Sequence, residues 1–399
     1  MLSSFYSLAA LALLFLGLVS ASDKTLTDRL VKNYKANTLK RLPTTGNCTA
    51  KNIAVRKEWG NLTSGARLDY INAVKCLKTL PSKIDPAKAP GARTRYDDFQ
   101  AAHIIQTTIV HGTGSFFAWH RHLIWLYETA LRDECGYKGY QPYWDWSKYA
   151  NKPLSQNPLI DGSATSMSGN GKYIAGRNGT LQPFPIPVEN PPALYCPPGT
   201  GGGFVYNGPL VNWQLNLGPV VNNVVTNGVH VNPNPRADGL GYNPRRLIRD
   251  FNNTLLQDNS YAIVNNMLVN MTSMHEFHPY FFQVPHTAGH LFISGYDNDL
   301  FTSPGDPLFY FHHAQVDRIW ALWQGMNFEN REFALDGTLT MLDLPPTRNA
   351  TLDDIMKFEF SPDISINERM SPTANGLCYI YDTCICTYVQ IGTVKEQAR

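Results

Sequence analysis

The feature that most limits how this chain can fold is the placement of its histidines. Of 11 in 399 residues, all but His230 fall in two blocks: His103, His111, His120 and His122, then His275, His278, His286, His290, His312 and His313. Both blocks lie in helical patterns. From His120, HRHLIWLYETALRDECG sets His120, Leu123, Tyr127, Ala130 and Leu131 on one face and stops at Gly136, a natural helix C-terminus. From Asp306, DPLFYFHHAQVDRIWALWQG opens with Asp306 at the N-cap and Pro307 at the first helical position, and aligns Phe309, His313, Val316, Trp320 and Trp323 in a stripe. YDDFQAAHIIQTTIVH, from Tyr96 to His111, and the HTAGH region, residues 286 to 290, read as two further helices. The expected fold class is mainly α: a four-helix-bundle core with long irregular loops and few short strands.

His286 and His290 stand one turn apart on one helix face, a spacing that permits a shared metal and that also arises by chance between two surface histidines. The rest of the chain weighs on the choice. His103, His111 and His120 form one group, and His286 and His290 precede the helix that carries His313. No Asp or Glu is interleaved at ligand spacing. Two groups of imidazoles suit two metals that prefer nitrogen donors and redox chemistry, of which copper fits best. A dinuclear zinc or manganese hydrolase would want a bridging carboxylate, and none is placed for it.

The first 22 residues contain an apolar run from about Leu8 to Val19, followed by Ser20-Ala21-Ser22. The run is shorter than the roughly 20 residues of a spanning helix and ends like a secretory signal peptide. We therefore expect residues 1–21 to be removed and residues 22–399 to form one exported, extracellular domain. The sequons at Asn47, Asn61, Asn178, Asn252, Asn270 and Asn349 fit export with N-linked glycans. Seven cysteines in such a chain point to disulfides rather than metal ligands, and the odd number leaves one unpaired. A net charge of +2 without a basic run argues against nucleic acid and anionic membranes as partners.

Between about Asn151 and Asn243 the chain becomes dense in Pro and Gly, as in PFPIPVENPPALYCPPGTGGG. So long an excursion is either functional, tied down, or a mobile surface loop. A bridge from Cys135 to Cys196 would staple it to the preceding helix.

The stretches FFAWHRHLIWLYETALRDECGYKGYQPYWDW and SPGDPLFYFHHAQVDRIWALWQ resemble the two copper-binding segments of tyrosinases and catechol oxidases, the type 3 copper proteins. Asp306, Pro307, Phe309, Tyr310, His313 and Asp317 meet the family pattern of the second segment. The resemblance implies two copper ions, one held by His103, His111 and His120 and the other by His286, His290 and His313. It makes His313 the ligand and leaves His312 a packing or supporting residue. His122 is expected to be packed or exposed, His275 and His278 to be ordinary, and His230 to have no role. Asp317, one turn after His313, is expected to hold that imidazole. Arg318 and Asp145 are expected as buried ion pairs in the same layer, and PYWDW as core.

The resemblance further implies oxidation of o-diphenols to o-quinones with dioxygen reduced to water, with o-aminophenols and some monophenols as further substrates. Full monophenolase activity, or dioxygen carriage of the hemocyanin kind, are the alternatives. Many tyrosinases carry Asn after the first histidine of the second copper site and a Glu shortly before it, which together polarise a water. Here Thr287 and Gln283 stand in those places, so diphenol oxidation is the expected activity. A bulky Phe covers the first copper in some plant enzymes; the counterpart by counting is Leu300. Ile109, two before His111, leaves no cysteine for the family's thioether. The Y-x-Y element reads as Tyr379-Ile380-Tyr381, with 18 residues remaining (399 minus 381), too few for a separate lid domain, as in the short secreted fungal polyphenol oxidases.

Overall fold

The computed structural model describes residues 3–183, 193–221 and 231–382, with side chains from Ser22 onward except Pro183. Eight helices set the frame: α1 Ser3–Arg41, α2 Ser64–Leu77, α3 Arg95–Val110, α4 Phe116–Asp133, α5 Tyr261–Asn270, α6 Met274–Phe281, α7 Thr287–Ile293 and α8 Leu308–Met326. The architecture is mainly helical, as expected. α4 packs against α2, α3 and α8, and α8 also touches α1, α5 and α7.

Every residue from Leu308 to Gly325 is buried, so α8 is apolar or paired all round and lies at the centre of the fold rather than presenting a single stripe. Close approach is built into it: a Cβ on Gly325 would stand 2.5 Å from the Tyr34 ring of α1. Asp306 starts the helix as anticipated, accepting from the Leu308 N–H at 2.9 Å. α4 begins at Phe116, four residues ahead of the expected start, because FFAW is apolar on every face and marks no edge of a stripe.

Strands are short. β1 Ala54–Arg56 pairs in parallel with β6 Tyr379–Tyr381, while β2 Gly171–Tyr173 pairs with β5 Gly202–Val205, and β3 Thr180–Pro183 with β4 Ala193–Cys196, both antiparallel. Beside β1 and β6 the disulfide Cys48–Cys378 joins segments 330 residues apart.

The second disulfide overturns an expectation: Cys135 pairs with Cys76, not with Cys196. Cys196 is a free, buried thiol on β4, and burial pushes its pKa up to about 12. The irregular excursion is held by buried charge instead. Arg249 grips Asp306 through two bonds of 2.7 Å and donates to the carbonyls of Met167, Ser168 and Gly169, and Arg177 pairs with Asp250.

A second correction concerns Asp317. Its carboxylate does not reach His313; it accepts from Arg121 Nε at 2.5 Å, Arg56 Nη1 at 3.2 Å and the hydroxyls of Tyr379, at 2.6 Å, and Tyr381. Burial alone would raise this carboxyl, but the two guanidiniums hold it below the usual range. The Y-x-Y element thus closes the core by clamping α8, α4 and β1 on one carboxylate. Arg318 lies over the Tyr143 ring and donates to Gln315, and Asp145 and the tryptophans of PYWDW are buried.

Of the six sequons, Asn47, Asn61, Asn178, Asn270 and Asn349 are exposed. Asn252 is not: it is 8 % exposed, donates to the Pro198 carbonyl and accepts from Thr254. Among the described residues no helix is long and apolar enough to cross a membrane. The side chains of residues 1–21, His230, Cys384, Cys386 and the tail after Asp382, on which the leader and lid expectations bear, lie outside the described residues.

Candidate metal centre

Each histidine of the first group is placed by a different local device. Thr94 N–H donates to Asp97 at 2.9 Å and starts α3, which carries His103 in its buried interior. The helix stops at Val110, and His111 takes an extended conformation before Gly112 turns the chain with a φ of +58°. Phe116 then opens α4, with His120 one turn in. The three rings gather at centroid separations of 4.9, 5.7 and 5.1 Å.

The second group depends on an irregular helix. Ser273 and Glu276 cap α6, and the backbone then widens into a π turn over Phe282–His286 before α7 resumes at Thr287. Pro285 has no N–H to donate to the preceding turn, and π turns of this kind recur at functional sites. The widening leaves the Phe282 carbonyl to accept from His286 Nδ1 at 3.2 Å and from the Thr287 hydroxyl at 2.8 Å. His290 follows on α7, and α8 supplies His313.

The hydrogen bonds fix which nitrogen faces inward. Nδ1 of His103, His111 and His120 meets the carbonyls of Phe301, Thr107 and Phe116, each at 2.8 Å, and Nδ1 of His290 meets Asp297 Oδ2 at 2.9 Å. A carbonyl partner demands the proton on Nδ1, so Nε2 keeps a lone pair. Nε2 of His103 and of His120 is buried without a partner among the described residues. In the second group His290 Nε2 lies 3.1 Å from His286 Nε2 and 3.2 Å from His313 Nε2. Three nitrogens about 2.0 Å from one ion at tetrahedral angles stand about 3.3 Å apart. Burial keeps the rings neutral: it lowers His103, His120, His286 and His313 well below the ordinary value, and His111 to about 4. The residues present therefore fit two metal ions, and an all-nitrogen donor set suits copper.

The two groups face each other. His120 and His313 stack at 4.4 Å, and the His111 and His286 rings are 6.4 Å apart. His312 joins the second group, with a ring nitrogen within 4.8 Å of those of His286, His290 and His313. Gly289, the fourth residue of HTAGH, makes room for it: a Cβ there would meet the His312 ring at 2.2 Å. His122 is buried, stacks on Trp125 and accepts from Arg369, so it faces away from the metal cluster. His275 is exposed, and His278 packs on Phe116 with Nδ1 at the Asp336 carbonyl.

A cleft with an empty volume of about 550 Å³, including its open mouth, ends on His286 and His290. Phe282, Leu194, Leu291 and Leu300 form its apolar lining, and Gln182, Thr287, Asp297, Asn298 and Ser303 its polar part. Thr287 and Leu300 both line this cleft, whose histidines are His286 and His290 of the second group, but Gln283 does not. It is exposed and outside the cleft, because the π turn sends Phe282 inward, its ring stacked on His286 at 5.1 Å.

Sequence reasoning missed several contributors. Asp297, not Asp317, is the carboxylate that orients a candidate ligand. It lies beyond the end of α7, seven residues after His290, and the only hint was an acid near a histidine cluster. Gln182 and Leu194 are a cross-strand pair from β3 and β4, so the Pro/Gly-rich excursion supplies one wall of the cleft. Cys76 and Cys135, the cysteines that flank His111 in the sequence, bond each other.

A family model described as the common central domain of tyrosinase matches residues 93–326. The chain is 64 % identical over 337 residues, 84 % of its length and 91 % of the relative's, to the tyrosinase-like protein orsC of Emericella nidulans. It is 38 % identical to tyrosinase P of Aspergillus terreus, covering 82 % of this chain and 91 % of that one. Among solved structures, a polyphenol oxidase variant from Thermothelomyces thermophila superposes with a TM-score of 0.81 at 39 % identity, covering 89 % of this chain and 97 % of its own.

Proposed function

Because the chain belongs to the tyrosinase family of copper oxidases, we propose that it oxidises o-diphenols to o-quinones, with dioxygen as acceptor and water as the reduced product. His103, His111 and His120 hold one copper, and His286, His290 and His313 hold the other. When bound, the pair supplies the redox chemistry, two electrons from each diphenol and four to each dioxygen. The chain's residues do the rest. Nδ1 hydrogen bonds to carbonyls and to Asp297 keep the orientations of five of the rings, and burial keeps His103, His111, His120, His286 and His313 unprotonated. Phe282, Leu291 and Leu300 offer a flat phenolic ring an apolar berth at the His286/His290 end of the cleft.

The observation that carries this reading is the convergence of two all-nitrogen triads, the second of which presents His286 and His290 at the end of an open cleft. The preference for diphenols is supported by Thr287, whose hydroxyl proton is committed to the Phe282 carbonyl, and by Gln283, which does not reach the cleft. Monophenol hydroxylation is a second reading, favoured by one observation: Asp297 Oδ1 is buried at the cleft without a partner among the described residues. Export after removal of residues 1–21, a single domain over 22–399 and glycans on the exposed sequons complete the proposal. The test is oxygen uptake by copper-loaded protein with catechols, monophenols and o-aminophenols side by side. Catechols should be turned over fastest; a sample with two coppers per chain and no oxygen uptake on any of them overturns the reading.

A further inference from the structure

The cleft has a polar wall whose acceptors lack donors. Asp297 and Asn298, both almost fully buried, line it side by side, and Oδ1 of each has no hydrogen-bond partner among the described residues. Asn298 stands between this cleft and the adjoining cavity and lines both, and its Nδ2 is tied to Ser294, which borders the cavity, at 2.8 Å. That leaves Oδ1 as the amide atom without a partner among the described residues. Gln182 and Ser303 stand on the same polar lining, and no Lys or Arg is among the lining residues. Leaving a buried acceptor unpaired costs about 1–3 kcal/mol, which a donor on a bound molecule would recover.

Resting on the oxidase reading, we infer that Asn298 is a specificity-determining residue. It selects phenolic rings that carry a neutral or cationic hydrogen-bond donor on the side away from the reacting hydroxyls, and rejects rings that carry a carboxylate. A site built around unpaired acceptors discriminates against a shape-matched analogue without the donor, because only the donor-bearing ring pairs an acceptor that is already shut off from water. On this wall an anionic substituent meets two acceptor oxygens and, among the described lining residues, no Lys or Arg to balance it.

The experiment compares kcat/KM on copper-loaded full chain for catechols bearing isobutyl, acetamide (CH2CONH2) or acetate (CH2COO−) at the 4-position. Wild type should prefer the acetamide over the shape-matched isobutyl and over the acetate, each by about tenfold. In Asn298→Leu the ratio of the acetamide rate to the isobutyl rate should fall about tenfold. Equal use of acetate and acetamide by wild type, or an equal loss on all three in the variant, overturns the inference. Asn298→Asp keeps the shape and the acceptor, so it covers the case where the leucine variant misfolds. It should raise the preference for an aminoethyl over an isobutyl catechol several-fold, and an unchanged ratio overturns the inference. Failure of the oxidase reading shows separately, as no oxygen uptake by wild type with the isobutyl compound.

Discussion

Asp297→Ala removes the one side chain that orients a candidate ligand without touching any imidazole. Asp297 is 1 % exposed and bonds His290 Nδ1 at 2.9 Å. It stands on the turn after α7, where Ser294 and Gly295 reverse the chain with φ of 54° and 59°. Without it, His290 loses its tautomer lock and its rotational restraint, while His286 keeps the Phe282 carbonyl and the first group keeps all three of its own. Loss of a supporting partner of this kind weakens metal binding by about 10- to 100-fold, or about 1.4–2.7 kcal/mol. The effect should be confined to one of the two sites. Titration of apo protein with copper against a competing chelator should give two equal classes in wild type. In the variant one class should be unchanged and the other weaker by that factor. Near-ultraviolet circular dichroism checks that the fold survives. Unchanged affinity, or equal weakening of both classes, refutes the argument that Asp297 acts through His290.

The copper-free protein should lose stability on acidification. His111 and His122 are depressed to about 4 and about 3 by burial, with Arg369 adding to the shift of His122. Below the ordinary value of 6.5 the unfolded chain takes up protons that the folded one refuses, so stability present above pH 6.5 is lost as pH falls, at about 1.4 kcal/mol per unit for each group. Thermal melts of apo protein from pH 7 to 5 should show a falling Tm, and a flat profile contradicts the assignment. Asp317→Ala leaves Arg56 and Arg121 buried without their shared carboxylate and should destabilise by about 3–5 kcal/mol, read by denaturant unfolding; a loss under about 1 kcal/mol refutes the clamp. Thr287→Asn removes one of the two donors to the Phe282 carbonyl and places an amide at the cleft. The ratio of monophenol to diphenol turnover should rise, and no change would show that position 287 does not govern it.

What could be read from the sequence was local. The helix that carries His313, its start at Asp306 and the histidine spacing around His111 all depend on contacts within a few residues, and the structure brings those histidines together. What could not be read was set by partners distant in sequence. Asp317 looked like a support for His313 because one helical turn separates them, yet Arg56 and the two tyrosines, from opposite ends of the chain, claim it. Cys135 had candidate partners on both sides, and only the packing of α2 on α4 chooses Cys76. Gln283 was read as the nearest counterpart of a Glu shortly before His286, but in the π turn it is Phe282 that lines the cleft and Gln283 that is exposed.

That turn has a further consequence. An α-helix advances about 100° per residue, so admitting one more residue between Phe282 and His286 rotates everything after it by that amount relative to everything before. The segment therefore serves two masters. Upstream, Phe277 and Phe281 obey the packing of the core; downstream, His286 and His290 obey the geometry of the cluster. Part of the site is thus held in a residue count and not in any residue's chemistry. Removing exposed Gln283 alone would keep every histidine and every contact-making side chain in the sequence, and would still turn the two orientations out of step.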